Sequence, residues 1–151
     1  MKIDFEWCKS NGIELIEPND NLAEEYYNSA EETLKSLALT KDIDSNMWLA
    51  TKKYYAEYLA AYSLLMKIGI KSEIHSCTID VIKLLENKNI ITFRFFKNLE
   101  EDKQLRTDNQ YYLKNIPVIV NIEKIRDLLL NVRRLLDNLT KEQIAKIREM
   151  I

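Results

Sequence analysis

Residues 46–68, NMWLATKKYYAEYLAAYSLLMKI, with Gly69 behind them, are the stretch whose reading decides the fold. Trp48, Tyr55, Tyr58, Leu59, Tyr62, Leu65 and Met66 recur at steps of three and four, the period of one helix face, so the spacing predicts a long helix. Ala56, Ala60 and Ala61 are small enough to let a neighbouring helix come close. Gly69 suits the C-cap, because it takes the left-handed conformation without a Cβ penalty. Working outward, the same period appears on both sides. From Leu22 to Ala38 apolar residues fall at 23, 26, 27, 30, 34, 37 and 38, and Asn19-Asp20-Asn21 after Pro18 offer capping oxygens. Beyond Gly69, Ser72 is the expected N-cap of a helix whose inner stripe is Ile74, Cys77, Thr78, Val81, Ile82 and Leu85, ending near Asn87-Lys88-Asn89. A short link between the two predicts antiparallel neighbours.

Further along, Ile90 to Phe96 has the composition of a strand but no second strand to pair with, which predicts a loop. A polar helix over about 97–114 follows. Pro117 is expected to open the next helix, where Ile122, Ile125, Leu129, Val132, Leu136 and Leu139 step by threes and fours. Thr140-Lys141-Glu142-Gln143 reads as a capping box for a short last helix carrying Ile144, Ile147 and Ile151. With only two glycines and two prolines in 151 residues, the turn punctuation of a β protein is missing. The expectation is therefore one all-α domain over 1–151.

The 22 basic and 24 acidic side chains give a net charge of −2, which excludes the chain-wide basic field of a dedicated nucleic-acid binder. The acids concentrate at the front: residues 1–36 hold 9 acids and 3 bases, so an anion-binding surface is expected in the remainder. Met1 to Trp7 interleave acids with apolar residues, unlike a signal peptide, and no apolar run is long enough to span a membrane. Cys8 and Cys77 are far apart and lack a CxxC partner, which predicts reduced thiols in a cytoplasmic protein with no membrane contact.

His75 is the sole imidazole, and HExxH, Walker, GxGxxG and GxSxG patterns are absent, so metal-centred, P-loop and hydrolase kits are excluded and neither metal nor cofactor is expected. A Cys77–His75 dyad is disfavoured, since i and i+2 on a helix face different ways. His75 is expected in the first turn of its helix as a cap-region or interhelix contact. The tyrosine run 54–62 reads as core with hydroxyls at the rim, or as rings bordering a cleft where a base could stack. Arg106, Asn109 and Gln110 share a helical face and Tyr111 lies a step further round, so a guanidinium, amides and a phenol can converge on an anion. A structural Arg106 tying helices together is the alternative.

Lys52-Lys53-Tyr54-Tyr55-Ala56-Glu57-Tyr58-Leu59-Ala60-Ala61, then Leu64-Leu65 and Lys67-Ile68-Gly69, then Lys71-Ser72-Glu73-Ile74-His75-Ser76, and finally Arg106 with Tyr111, together resemble the HEPN (higher eukaryotes and prokaryotes nucleotide-binding) family over about residues 20–114. The small stand-alone archaeal and bacterial branch is the nearest in pattern. The resemblance implies an antiparallel four-helix bundle with additional C-terminal helices over about 117–151, pairing as a homodimer. It also implies either a metal-independent ribonuclease toxin or a companion of a small nucleotidyltransferase in a toxin–antitoxin module.

The ribonuclease members carry Arg-x4–6-His. Here no Arg precedes His75, the first being Arg94, and Tyr111 stands where the His would be. The resemblance therefore favours binding of a nucleotide or RNA by Arg106, Tyr111, Asn109, Gln110 and Lys52 over cleavage. Arg106 and Tyr111 would be the catalytic pair if RNA is cut. A helical protein-interaction module is the remaining alternative.

Overall fold

A computed structural model describes residues 4–151; Met1-Lys2-Ile3, part of the stretch compared with a signal peptide, lie outside the described residues. The chain is mostly helical: α1 (Phe5–Asn11), α2 (Asp20–Thr40), α3 (Asn46–Ile68), α4 (His75–Asn87), α5 (Phe96–Arg106), α6 (Ile122–Asn138) and α7 (Lys141–Glu149). Two three-residue strands, β1 (Ile13–Leu15) and β2 (Ile70–Ser72), pair antiparallel with Glu14 opposite Lys71. Among the described residues no helix is long and apolar enough to cross a membrane.

The central element is α3, as its sequence leads one to expect. Ser45 caps its start, and Gly69 ends it with φ +88°, its N–H bonding to Leu65 O. No other residue fits there: a Cβ on Gly69 would strike the carbonyl oxygen of Ile16. The three alanines of the α3 stripe are fully buried, and α2 packs along them with Ala23, Tyr27, Ala30, Leu34 and Leu37. Each large aliphatic side chain so covered stabilises the fold by about 1.5–3 kcal/mol. Trp48, expected on that face, is half exposed at the first turn.

The helix α6 lies antiparallel to α2, placing Arg133 beside Glu24 and Leu129 O beneath the Tyr27 hydroxyl. Its buried Ile125, Leu129, Val132 and Leu136 follow the stepped pattern. The Thr140–Gln143 capping box starts α7. From α7, Arg148 donates to the carbonyls of Ile16, Ile68 and Gly69, satisfying the C-terminal end of α3.

Four expectations need correction. Ser72 does not cap α4: it ends β2, donates to Ile74 O and receives the Thr78 hydroxyl, and Ile74 stands at the cap without a side-chain bond. Pro117 does not open α6. It sits in the irregular segment 113–121, and α6 begins at Ile122 behind an Asn121 cap. The polar helix stops short of 114, because Thr107–Tyr111 is a π turn and Leu113 and Asn115 take φ of 51° and 54°, which ends the helical path.

The cysteines are not free thiols. Cys8 and Cys77 are bonded to each other and fully buried, stapling α1 to α4, with Gly12 so close that a Cβ there would meet Cys77 Sγ. Their 69-residue separation is erased by the β1–β2 pairing, which carries the N-terminal segment back to the start of α4.

Candidate anion-binding site

The site forms where α3, the start of α4 and the end of α5 meet. Two adjacent residues of α3 point different ways around the helix, yet Tyr54 and Tyr55 both reach Arg106 because its long side chain comes in between them. The guanidinium carbon lies 5.1 Å from the Tyr54 ring, 5.3 Å from the Tyr55 ring and 5.5 Å from the Tyr111 ring. Such placements over aromatic faces favour a cation.

One polar partner is present: Arg106 Nη1 donates to the Tyr55 hydroxyl at 2.8 Å. The residue is only 8% exposed, its Nε has no hydrogen-bond partner, and among the described residues no carboxylate pairs with it. A nearly buried guanidinium held only by neutral groups retains the capacity to bind an anion.

The Tyr111 ring reaches Arg106 because of the π turn. In an α-helix, side chains five residues apart diverge by about 140° around the axis. The i→i+5 spacing over Thr107–Tyr111, closed by Tyr112 N–H to Thr107 O, brings position 111 back towards position 106.

The imidazole of His75 joins the same cluster from α4. Its ring stacks on Tyr58 at 4.0 Å between centroids with the planes 15° apart, and Nδ1 lies 2.8 Å from the Tyr54 hydroxyl. It also meets the Tyr55 ring edge-on at 6.0 Å. Burial, then the charges of Arg106 and Lys103, hold its pKa down to about 4, so the ring is neutral at pH 7. Burial pushes the Tyr54 pKa far up and that of Tyr58 up to about 12, and both phenols keep their protons. Every hydroxyl of the run is bonded: Tyr54 to His75, Tyr55 to Arg106, Tyr58 to Thr78, and Tyr62 to the Ser72 N–H.

Beside the imidazole, Lys103 donates to the Ser76 hydroxyl at 2.9 Å. These two residues and Thr107 line a cavity of about 450 Å³ that also receives Asp80 and Glu100. Burial first, then Arg106, lowers the Lys103 pKa. The start of α4 has no side-chain cap, and its Cys77 N–H turns back to donate to Ile74 O at 3.0 Å.

Of the five residues picked out in the sequence, the structure brings Arg106 and Tyr111 together. Asn109 is turned into the protein, where it clamps Ile116 by accepting from its N–H at 2.6 Å and donating to its carbonyl at 3.1 Å. Gln110 leaves its buried Oε1 without a partner. Lys52 is engaged with the Asp44 carboxylate at 2.6 Å and the Thr40 hydroxyl at 2.9 Å.

Lys103 and Ser76 are additions that the sequence reading did not select, and His75 was placed correctly in its first turn but not connected to Arg106. The adjacent Tyr54-Tyr55 pair and Tyr58 one turn on were the available signal, since three rings at this spacing must serve two neighbouring elements. As expected, His75 and Cys77 face apart, one to α3 and the other to Cys8. Compared with protein-family models, curated proteins and solved structures, the chain matches none.

Proposed function

We propose that the chain is a HEPN-like protein, an antiparallel four-helix bundle with C-terminal additions, that binds a nucleotide or RNA through Arg106. The observation that carries this reading is the uncompensated guanidinium itself: nearly buried, ringed by Tyr54, Tyr55 and Tyr111, with a free Nε. A phosphate oxygen supplies the missing acceptor, and the exposed Tyr111 ring offers a face for a base. In this reading the protein acts as a homodimer beside a small nucleotidyltransferase in a cytoplasmic toxin–antitoxin module. The full burial of Cys8 and Cys77 shields their bond from soluble reductants there.

A second reading, the metal-independent endoribonuclease, gains from one observation. The sequence lacks Arg-x4–6-His along a single helix, but His75 from α4 packs on the same tyrosines as Arg106. Arg106 would stabilise phosphate charge there, while the His75 ring, its pKa held at about 4, is a weak base towards a ribose hydroxyl.

The deciding experiment incubates labelled single-stranded and folded RNA with wild type, Arg106→Ala and His75→Asn in EDTA, and titrates the same RNAs and AMP by fluorescence anisotropy. Binding lost in Arg106→Ala but retained in His75→Asn, without cleavage, supports the binding protein. Cleavage that both substitutions abolish establishes the nuclease. Absence of both binding and cleavage in the folded wild type removes both readings.

A further inference from the structure

Where α3 meets α5, two carboxyl groups are buried and line one cavity. Glu57 is 2% exposed on α3, and Asp102 is 7% exposed on α5. Lys53, one turn before Glu57, places its ammonium 3.2 Å from Asp102 Oδ1. That single cation is committed to Asp102, while Glu57 Oε1 is buried with no hydrogen-bond partner. Two carboxylates and one ammonium in such a setting leave one negative charge uncompensated, a cost a single proton between the carboxyl groups removes.

The other charged groups around the pair are Glu101 on α5, Arg94 from the segment before it and Lys124 on α6. All line, with Glu57 and Asp102, an open cavity of about 230 Å³. Arg94 is turned to Glu101 and Asn98, so it does not neutralise Glu57. Asp102 and Arg106 stand one turn apart on α5, and Glu57 and Tyr54 stand three residues apart on α3. Whatever sets the spacing of the carboxyl pair therefore sets how far Arg106 enters the tyrosine cluster.

We propose that Glu57 and Asp102 share one proton across the α3–α5 contact and that Glu57 is thereby a positioning residue for Arg106. The inference rests on the reading above only in taking Arg106 as the group that meets the ligand. Burial and the facing Asp102 carboxylate also push the Glu57 pKa well above the usual carboxylate range, in agreement with the geometry. A group whose folded pKa is raised contributes stability that is complete below its unfolded pKa, about 4.3, and is lost as pH rises through the folded value. Removing the proton sets two carboxylates against each other beside one ammonium, and α5 with Arg106 moves away from α3.

The test uses the full chain. Carbon-13 NMR of the carboxyl groups follows Glu57 from pH 4 to 9, and the Nε–Hε signal of Arg106 is followed in the same samples. The expected result is a Glu57 midpoint well above 4.5 and an Arg106 signal that shifts with that same midpoint. In Glu57→Gln, whose amide can donate to Asp102 without titrating, the Arg106 signal stays at its low-pH position throughout. A Glu57 midpoint near 4.5, or an Arg106 signal indifferent to it, overturns the proposal.

Affinity for a short single-stranded RNA is measured alongside. It should fall several-fold from low to high pH in wild type and remain flat in Glu57→Gln. If wild type binds no RNA, the nucleic-acid reading fails while the two NMR titrations still decide the carboxyl pair. In Asp102→Asn the carboxyl of Glu57 still titrates but loses the facing charge, so its midpoint is expected to fall towards the usual carboxylate range and the change in affinity to move down in pH with it.

Discussion

Two arginines show how this molecule separates structure from site. Arg133, in the α2–α6 seam, lies over the Tyr27 ring, holds both oxygens of Glu24 and reaches Asp137. Its charge is fully answered, and those carboxylates raise its pKa while it lowers that of Glu24. Arg106, between α3 and α5, also lies over tyrosine rings but, among the described residues, meets a single phenol oxygen and no carboxylate. The aromatic setting is common to both. What differs is whether an anion is already present, and only Arg106 has capacity left for one.

The comparison breaks most visibly in binding. Arg106→Ala is expected to lower RNA or nucleotide affinity by roughly 10- to 150-fold, the worth of one charge-assisted hydrogen bond, as read by anisotropy. Arg133→Ala should leave that affinity unchanged. Equal losses in both variants, or stability lost in Arg106→Ala with affinity intact, would make Arg106 another structural tie. Arg106→Lys sharpens the point: a compact ammonium keeps the charge but not the planar fork, so an intermediate affinity is expected.

A smaller effect belongs to the seam. Arg133→Ala should cost about 1 kcal/mol in urea unfolding, the range of a partly exposed ion pair with good geometry. Most of that loss should be recovered in Arg133→Lys if charge matters more than the fork.

A further effect is a slope. The His75 pKa is near 6.5 unfolded and about 4 folded, so the unfolded chain binds more protons in between and stability falls as pH drops through that window. His75→Asn should flatten this part of the stability profile relative to wild type. An unchanged profile would mean that the imidazole titrates freely and is not enclosed by the tyrosines.

Elements with complete local signals were legible. The helix 46–68 carries its own period, an Ala stripe and a terminal Gly, and the capping box at Thr140 needs only four consecutive residues. The strands were not, because three residues cannot display alternation and each exists only by pairing with the other. Ser72 shows the ambiguity directly: the same hydroxyl that suits a cap serves as a strand-end acceptor once β1 is alongside. The Cys8–Cys77 bond depends on the same pairing.

By itself, the sequence determined the predominance of helix, the central role of residues 46–68 and the candidacy of Arg106 and Tyr111, since periodicity and side-chain chemistry act over a few residues. The tertiary structure alone decided that His75 meets the tyrosines around Arg106, that Asn109 and Lys52 have other duties, and that Glu57 faces Asp102. These are contacts between segments distant in the chain, governed by burial and by which charges find a partner, and neither quantity exists until the helices pack.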